Sequence, residues 1–393
     1  MNTILLLLSA LSLCIWIYLL LFRGRFWLAD QRINDDLSAL DDYPAIAVII
    51  PARDEADVLP ATLSSLLTQD YPGKLSILLV DDRSSDGTAE IARTIAEQLQ
   101  QTDRLQIITG DPLQPGWSGK LWAMEQGVRA FNQQPDVPDY LLFSDADIKH
   151  HSSNLKELVE KAVRENLELT SLMVLLRCES FWEKSLIPAF VFFFQKLYPF
   201  PSANDPSKQL AAAAGGCILI RREALENIGG LSTIRETLID DCCLAAAVKS
   251  SKPGNKIWLG LTKNTKSLRS YPSLASIWNL VARTAFTQLN YSSILLLLTV
   301  VAMVVIYLMP PAGVILGIFW RNGWLIAMSL GAWLLMMISF LPTLRLYQRS
   351  PLWGMGLPAI AGLYALMTID SAIRHWQGRG GGWKGRVYAP APK

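Results

Sequence analysis

The chain begins with an unbroken apolar run. Residues 4–22, ILLLLSALSLCIWIYLLLF, carry no charge and are long enough to span a bilayer. From residue 44 the pattern changes to short apolar runs alternating with amphipathic stretches. AIAVIIP (45–51), LSILLVDD (75–82), RLQIIT (104–109) and YLLFSD (140–145) read as buried strands. EADVLPATLSSLLTQ (55–69), DGTAEIARTIAEQLQ (86–100) and GKLWAMEQGVRAFN (119–132) read as helices, with Pro60 tolerable only near its first turns. This alternation predicts an α/β, Rossmann-like domain with parallel strands and helices on both faces. Ligands bind such sheets beyond the carboxyl ends of the strands. PARDE, DDRSSDGT and SDAD all fall there, so one edge of the sheet collects the polar chemistry.

Beyond residue 283 long apolar runs return. Residues 290–309 form a second membrane candidate, expected to end at Pro310 and Pro311. Residues 312–320 are too short to span unless joined to the next apolar run. The third candidate is 324–341, and the fourth, 352–370, is interrupted by Pro358. The expected organisation is a transmembrane signal anchor (1–22), a juxtamembrane linker (23–43), a cytoplasmic domain (44–283), a C-terminal transmembrane region (290–372) and a basic tail (373–393). Arg23, Arg25 and Arg32 come directly after the first run, which puts residue 23 onward in the cytoplasm. A cleaved signal peptide is the alternative, but there is no basic leader and no A-x-A site. LSLC, ending at Cys14, lacks the small residue of a lipoprotein box. Three C-terminal spans would leave the tail outside, and two or four would bring it inside. The charge of RHWQGRGGGWKGR favours inside, which makes one segment a candidate hairpin.

Composition agrees with a membrane protein carrying a soluble part: 51% of the 393 residues are hydrophobic and only 18% charged, against roughly 25% charged in an average soluble protein. The net charge of +2 argues neither for nor against nucleic acid, and no motif calls for it. The five cysteines have no paired spacing, so Cys242 and Cys243 read as small buried residues in a reducing compartment. Three histidines leave no His-rich metal cluster.

Five clusters carry candidate chemistry. Asp145 and Asp147, at i and i+2 of an expected extended segment, would project to one side and offer hard oxygens to a divalent cation, Mg²⁺ or Mn²⁺, on a diphosphate; a solvated turn is the plain alternative. In DDRSSDGT, Asp82 could present a carboxylate to a nucleobase while Asp86 caps the next helix. In Pro51-Ala52-Arg53-Asp54-Glu55, Arg53 could meet a phosphate or simply pair with Asp54 and Asp82. Gly116-Trp117-Ser118-Gly119-Lys120 opens a helix whose free N–H groups and Lys120 favour an anion, although P-loop spacing is absent, as is a G-x-G-x-x-G after the first strand. Finally, Asp240-Asp241 sits in an apolar run, where a carboxylate could act as general base or merely start a helix. Upstream, AAAAGGCILIRR (211–222) permits close approach of backbone to a substrate, or tight packing.

Taken in order, PARDE, VDDRSSDGT, GK, SDAD, AAGGCILIRREAL and IDD resemble glycosyltransferase family 2 across about 44–283. The resemblance implies a GT-A type nucleotide-sugar-binding fold and an inverting, metal-assisted transfer from a nucleotide-sugar donor. It implies a donor site of Pro51, Arg53, Glu55, Asp82, Lys120, Asp145, Asp147 and Arg283, with the metal on Asp145 and Asp147. Asp241 matches the family's base and Asp240 its supporting acid. Processive members carry Q-x-x-R-W, where this chain has Leu280-Val281-Ala282-Arg283-Thr284. Arg283 survives but Gln and Trp do not, which weakens a polysaccharide-synthase reading. GWSGKLWAMEQGV, IPAFVFFFQKLYPF, NDPSKQLAAAAGGC, LIDDCCLA and ARTAFTQLNYS resemble the hopene-associated glycosyltransferases of bacteria. That implies an inner-membrane enzyme linked to hopanoid biosynthesis, with a lipid acceptor. Loading of a polyprenyl phosphate is the rival acceptor chemistry. A non-enzymatic scaffold would be expected to have lost one of these acids, and all are present. Residues 186–200, apolar and aromatic, suit an interfacial element or a buried helix. Trp383-Lys384-Gly385-Arg386 and Tyr388 suit headgroups, the donor or plain solvent.

Overall fold

The structure is a computed structural model that describes residues 2–33 and 39–379 and, in the tail, 382–383 and 386–387. Lys384, Gly385 and Tyr388 lie outside the described residues. The chain forms two compact units.

The larger unit, Asp30–Arg177, Ser202–Ser270 and Gly382–Lys393, is built on an eight-stranded sheet. Its strands are β1 (Ile46–Ala52), β2 (Leu75–Asp81), β3 (Leu105–Thr109), β4 (Tyr140–Ser144), β5 (Ile148–Lys149), β6 (Leu169–Leu175), β7 (Cys217–Arg221) and β8 (Ile257–Ser267), in the order β3-β2-β1-β4-β7-β6-β8-β5. The first four strands in sequence are parallel, as the alternation predicts. The other half is mixed: β7 runs antiparallel to both β4 and β6, while β8 is parallel to β6. Strand β1 alternates its buried side chains between two cores. Ile46, Val48 and Ile50 face the helices Leu59–Leu67, Thr88–Gln98 and Asn154–Arg164, whereas Ala47 and Ile49 face Gly119–Asn132 and Asp240–Ser251. Helices therefore cover both faces. The chain runs from β1 outward to β3 and then returns to the other side of β1 as β4. That reversal opens a crevice at the strands' carboxyl ends.

The second unit comprises Met1–Ala29, Cys178–Pro201 and Tyr271–Gly381. It thus takes in a helix, Phe181–Leu197, from within the 44–283 stretch. Phe192 and Phe193 of that helix pack on Phe26, Tyr307, Phe340 and Tyr364. Among the described residues, four segments are long and apolar enough to cross a membrane: Thr3–Leu21, Ser293–Phe319, Gly323–Leu346 and Pro351–Trp376. The break expected at Pro310 and Pro311 does not occur, and residues 312–319 join the segment before them. A π turn at Val304–Leu308 precedes the prolines and resets the hydrogen-bond register. Both prolines then fall in the first turn of the next helical stretch, Met309–Phe319, where their missing N–H groups cost little.

Gly313 faces Ser329 and Gly317 faces Ile326, so Gly323–Leu346 returns antiparallel to its predecessor. Ser329 Oγ donates to Ser9 Oγ at 2.9 Å, and Trp16 Nε1 donates to Ile306 O at 2.9 Å. The fourth segment differs. Its 3-10 stretch, Pro351–Gly356, runs beside Met337, and its helix, Leu357–Trp376, begins near Leu308, against which Gly362 lies. The helix ends where Ser371 Oγ accepts the Phe286 N–H at 3.0 Å and His375 stacks on Tyr291 at 4.3 Å. Continuing the antiparallel register puts Leu346 near the start of Ser293–Phe319. The fourth segment therefore enters and leaves at the same end of the bundle, as a hairpin.

Candidate functional site

The polar strand ends converge in the crevice beside β1. Arg53, just past β1, donates from Nη1 to Asp82 O at 2.9 Å and lies 3.4 Å from Asp82 Oδ2. Asp82 is only 2% exposed. The loops after β1 and β2 are laced together: Ser85 N donates to Asp54 Oδ1 at 2.8 Å, and Ala56 N to Asp86 Oδ2 at 3.0 Å. Asp86 also accepts the Thr88 N–H at 3.1 Å, satisfying a first-turn donor from one residue before the helix's N-cap, which is Gly87 and not Asp86 as the sequence suggests. These bonds and the Thr88 hydroxyl hold Asp86 below the usual carboxylate range, against the upward pull of burial.

Asp145 and Asp147 do not lie on an extended segment. Ile148 N donates back to Asp145 O at 3.2 Å, closing a turn immediately after β4. The two carboxylates rest on different partners, although they stay near enough for the charge of Asp147 to raise Asp145. Asp145 Oδ1 is 2.7 Å from Lys120 Nζ. Asp147, 5% exposed, accepts from Ser267 Oγ at 2.6 Å and lies 3.5 Å from Arg269 Nε. Arg269 Nη2 meets Glu55 Oε1 at 2.7 Å, tying the β1 loop to the turn. Below the turn runs a buried polar chain. Ser144 Oγ is 2.8 Å from His150 Nε2, His150 Nδ1 is 3.0 Å from Asn154 Nδ2, and Thr265 Oγ1 donates to Asn154 Oδ1 at 2.9 Å. Burial pushes His150 down to about 3, so the imidazole is neutral.

Ser118 caps the helix that carries Lys120, accepting the Leu121 N–H at 3.3 Å. Burial alone would lower the Lys120 ammonium, but Asp145, Asp240 and Asp241 hold it above the ordinary lysine value. Its Nζ lies 3.8 Å from Asp240 Oδ2 and donates to Gly215 O at 3.4 Å. Asp241, in the first turn of Asp240–Ser251, accepts N–H groups from Gly215 (2.9 Å) and Cys242 (2.7 Å). Removal from water, and then Asp240, push its carboxyl up to about 6. Asp145 is raised by burial first, with Asp147 and Asp240 adding to it against Lys120. Close approach is literal at Gly215: a Cβ there would stand 3.2 Å from Lys120 Nζ and 3.4 Å from Asp241 Oδ2.

Five carboxylates (Glu55, Asp145, Asp147, Asp240 and Asp241) thus share two cations, Lys120 and Arg269. Such a site repels a diphosphate unless a divalent cation accompanies it, and its all-oxygen donors suit Mg²⁺ or Mn²⁺. Among the described residues no group of three or more His, Cys, Asp or Glu side chains is placed to hold a metal alone. The residues fit an ion held by Asp145 and Asp147 that takes its remaining ligands from phosphate and water.

The crevice brings together Arg53, Glu55, Asp82, Lys120, Asp145, Asp147, Asp240 and Asp241, with Pro51 in β1. Arg283 belongs to the other unit, exposed at the end of Leu274–Ala282. The sequence reading missed Ser267, Arg269 and the specific role of Gly215. Their signal was a polar run, KSLRS, closing a strand.

A family model, Glycosyl transferase family 2, matches residues 47–229. The match makes this stretch similar to that family over a little under half of the chain. The family 2 match covers Pro51 through Asp147, while Asp240, Asp241 and Arg269 lie beyond it. The 4,4'-diaponeurosporenoate glycosyltransferase of Staphylococcus haemolyticus is 34% identical over 140 residues, 36% of this chain and 33% of that protein. The undecaprenyl-phosphate mannosyltransferase of Micrococcus luteus is 34% identical over 120 residues, 30% of this chain and 44% of that protein. The chain thus matches a third to under a half of these relatives' length. Among solved structures, mannosyltransferase PcManGT from Pyrobaculum calidifontis, in complex with GDP-Man and Mn²⁺, superposes with a TM-score of 0.54 at 17% identity. The match covers 94% of this chain and 98% of that one, which establishes a shared GT-A-like fold; this chain carries long apolar helices toward both ends.

Proposed function

We propose that the protein is a membrane-bound, metal-dependent, inverting glycosyltransferase that moves a sugar from a UDP-linked donor to a lipid hydroxyl. The observation that carries this reading is Asp241. Its carboxyl is raised toward neutrality and fixed by two backbone N–H groups, in one cluster with Lys120 and Asp145. A base of that pKa can accept a hydroxyl proton near pH 7. The donor's base lies toward Asp82 and its diphosphate toward Lys120, with Arg53 and Glu55 shaping the loop between. The acceptor oxygen attacks the anomeric carbon as the bond to the diphosphate breaks on the opposite face, and Asp241 takes the proton. One in-line displacement inverts the centre. A divalent ion on Asp145 and Asp147 would supply charge compensation to the departing diphosphate.

The domain faces the cytoplasm of a bacterial inner membrane, with the arginines after the first segment on that side. The hairpin form of the fourth segment supports a tail on the same side. A hopanoid-linked acceptor rests on the motif resemblance alone. The Micrococcus relative favours a second reading, transfer to a polyprenyl phosphate, whose oxygen is already anionic and needs Asp241 less. The test is to incubate membranes containing the protein with labelled UDP- and GDP-sugars, extract the lipids and weigh the product. A neutral, acid-stable glycolipid is expected. An acid-labile phosphodiester would establish the second reading, and no metal-dependent product across the donor panel would refute both.

A further inference from the structure

The turn joining the third and fourth apolar segments holds a cation without a counterion. Arg349 Nε is buried and has no hydrogen-bond partner, and no ion pair involves Arg349 among the described residues. Its guanidinium instead lies over the Trp353 ring, 5.2 Å from the centroid. A buried donor left unpaired costs free energy, so an arginine in this state is suited to an acceptor arriving from outside the chain.

The surroundings narrow what that acceptor is. The Cys178 thiol feels the charges of Arg349, Glu183 and Lys184. The acid beside them, Glu183, is engaged elsewhere, accepting N–H groups from Glu179 (2.9 Å), Ser180 (2.8 Å) and Tyr271 (2.7 Å). Phe181 lies against Trp353, 6.4 Å between centroids, completing an aromatic rim. Arg349 sits between Leu346 and Pro351, where one apolar segment ends and the next begins. In a membrane that is the level of lipid headgroups, where aromatic side chains and basic residues gather.

We infer that this turn binds the phosphate of a lipid headgroup, with Arg349 as its anchor and Lys184 as a second charge. The guanidinium fork matches two phosphate oxygens, and Trp353 supports its plane. The inference rests on membrane embedding of the apolar segments and not on glycosyl transfer.

The test uses the full chain in dodecyl maltoside, free of phosphate lipids. Thermal unfolding and native mass spectrometry are recorded after addition of dioleoylphosphatidylglycerol, a polyprenyl monophosphate, inorganic phosphate or a neutral diglycosyl diacylglycerol. Both phosphate lipids are expected to bind and raise the midpoint, while the neutral glycolipid and inorganic phosphate do not. Arg349→Gln should weaken phosphate-lipid binding about tenfold, as loss of a charge-assisted hydrogen bond implies. Arg349→Lys, which keeps the charge but not the fork, should weaken it about threefold and carries the test if the Gln variant does not fold. Stronger retention of the polyprenyl monophosphate than of phosphatidylglycerol would identify an acceptor site, and equal retention a general headgroup site. Wild-type affinity in both variants, equal binding of the neutral glycolipid, or an equal response to inorganic phosphate would overturn the inference. UDP-sugar binding, titrated in parallel, reports on the transferase reading separately.

Discussion

Asp241→Asn tests the base assignment with the least change of shape. The side chain keeps one carbonyl oxygen, so one of the N–H groups of Gly215 and Cys242 keeps its acceptor while the other faces an amide. That loss should cost about 1–2 kcal/mol of stability, too little to unfold a typical domain. The catalytic cost is larger, since removing a general base lowers turnover by about 10²–10⁴-fold. Donor affinity should hardly change, because Lys120, Asp145 and Asp147 are untouched.

The pH profile sharpens the test. With its carboxyl near 6 rather than the ordinary 3.8, Asp241 is about nine-tenths ionised at pH 7 and about one-tenth at pH 5. Wild-type kcat should therefore fall about tenfold per unit below pH 6, and the Asn variant should show no such limb. The assay is product formation with labelled donor and saturating acceptor from pH 4.5 to 8.5, with donor binding measured calorimetrically. If the Asn variant turned over within a few-fold of wild type, or kept the same acidic limb, Asp241 would not be the base.

Three further outcomes are expected from the same geometry. Lys120→Met removes the cation that lowers Asp241, so the acidic limb should move above pH 6 as the donor KM rises; an unmoved limb would separate the two residues. Gly215→Ala places a methyl 3.2 Å from Lys120 Nζ and 3.4 Å from Asp241 Oδ2. It should cut kcat about tenfold or more while shifting the thermal midpoint little, because the displaced atoms are side-chain ends and catalysis is sensitive to sub-ångström placement. A fluorescent-protein fusion after Arg379 should glow in the cytoplasm and a phosphatase fusion there should be inactive; the reverse pattern would make the fourth segment a crossing instead of a hairpin.

How much of this was legible in the sequence depended on how local each signal is. Strands β1, β2 and β4 announced themselves because each is a β-rich run leading into acids, and burial on both faces leaves no alternation to misread, whereas β3 is a partly exposed edge strand. Lys120 and Asp241 stood out as charges beside small or apolar neighbours. The turn at Asp145–Ile148 did not, since spacing of i and i+2 has no fixed geometry until the backbone is known, and an assumed strand sent both carboxylates the same way. The π turn was hidden by Pro310 and Pro311, which look like a stop although one extra residue per turn accommodates them. Ser267 and Arg269 showed only as the polar run KSLRS, with no sign of what they meet, for a different reason. Their partners Asp147 and Glu55 lie 120 and 214 positions away, and strand β8 reaches them only by pairing with β5 and β6. The acids proposed to bind a donor can thus be read from motifs. A cation that ties two of them together is supplied by topology, and at this site that makes Arg269 as much a part of the design as Glu55 and Asp147, which it holds.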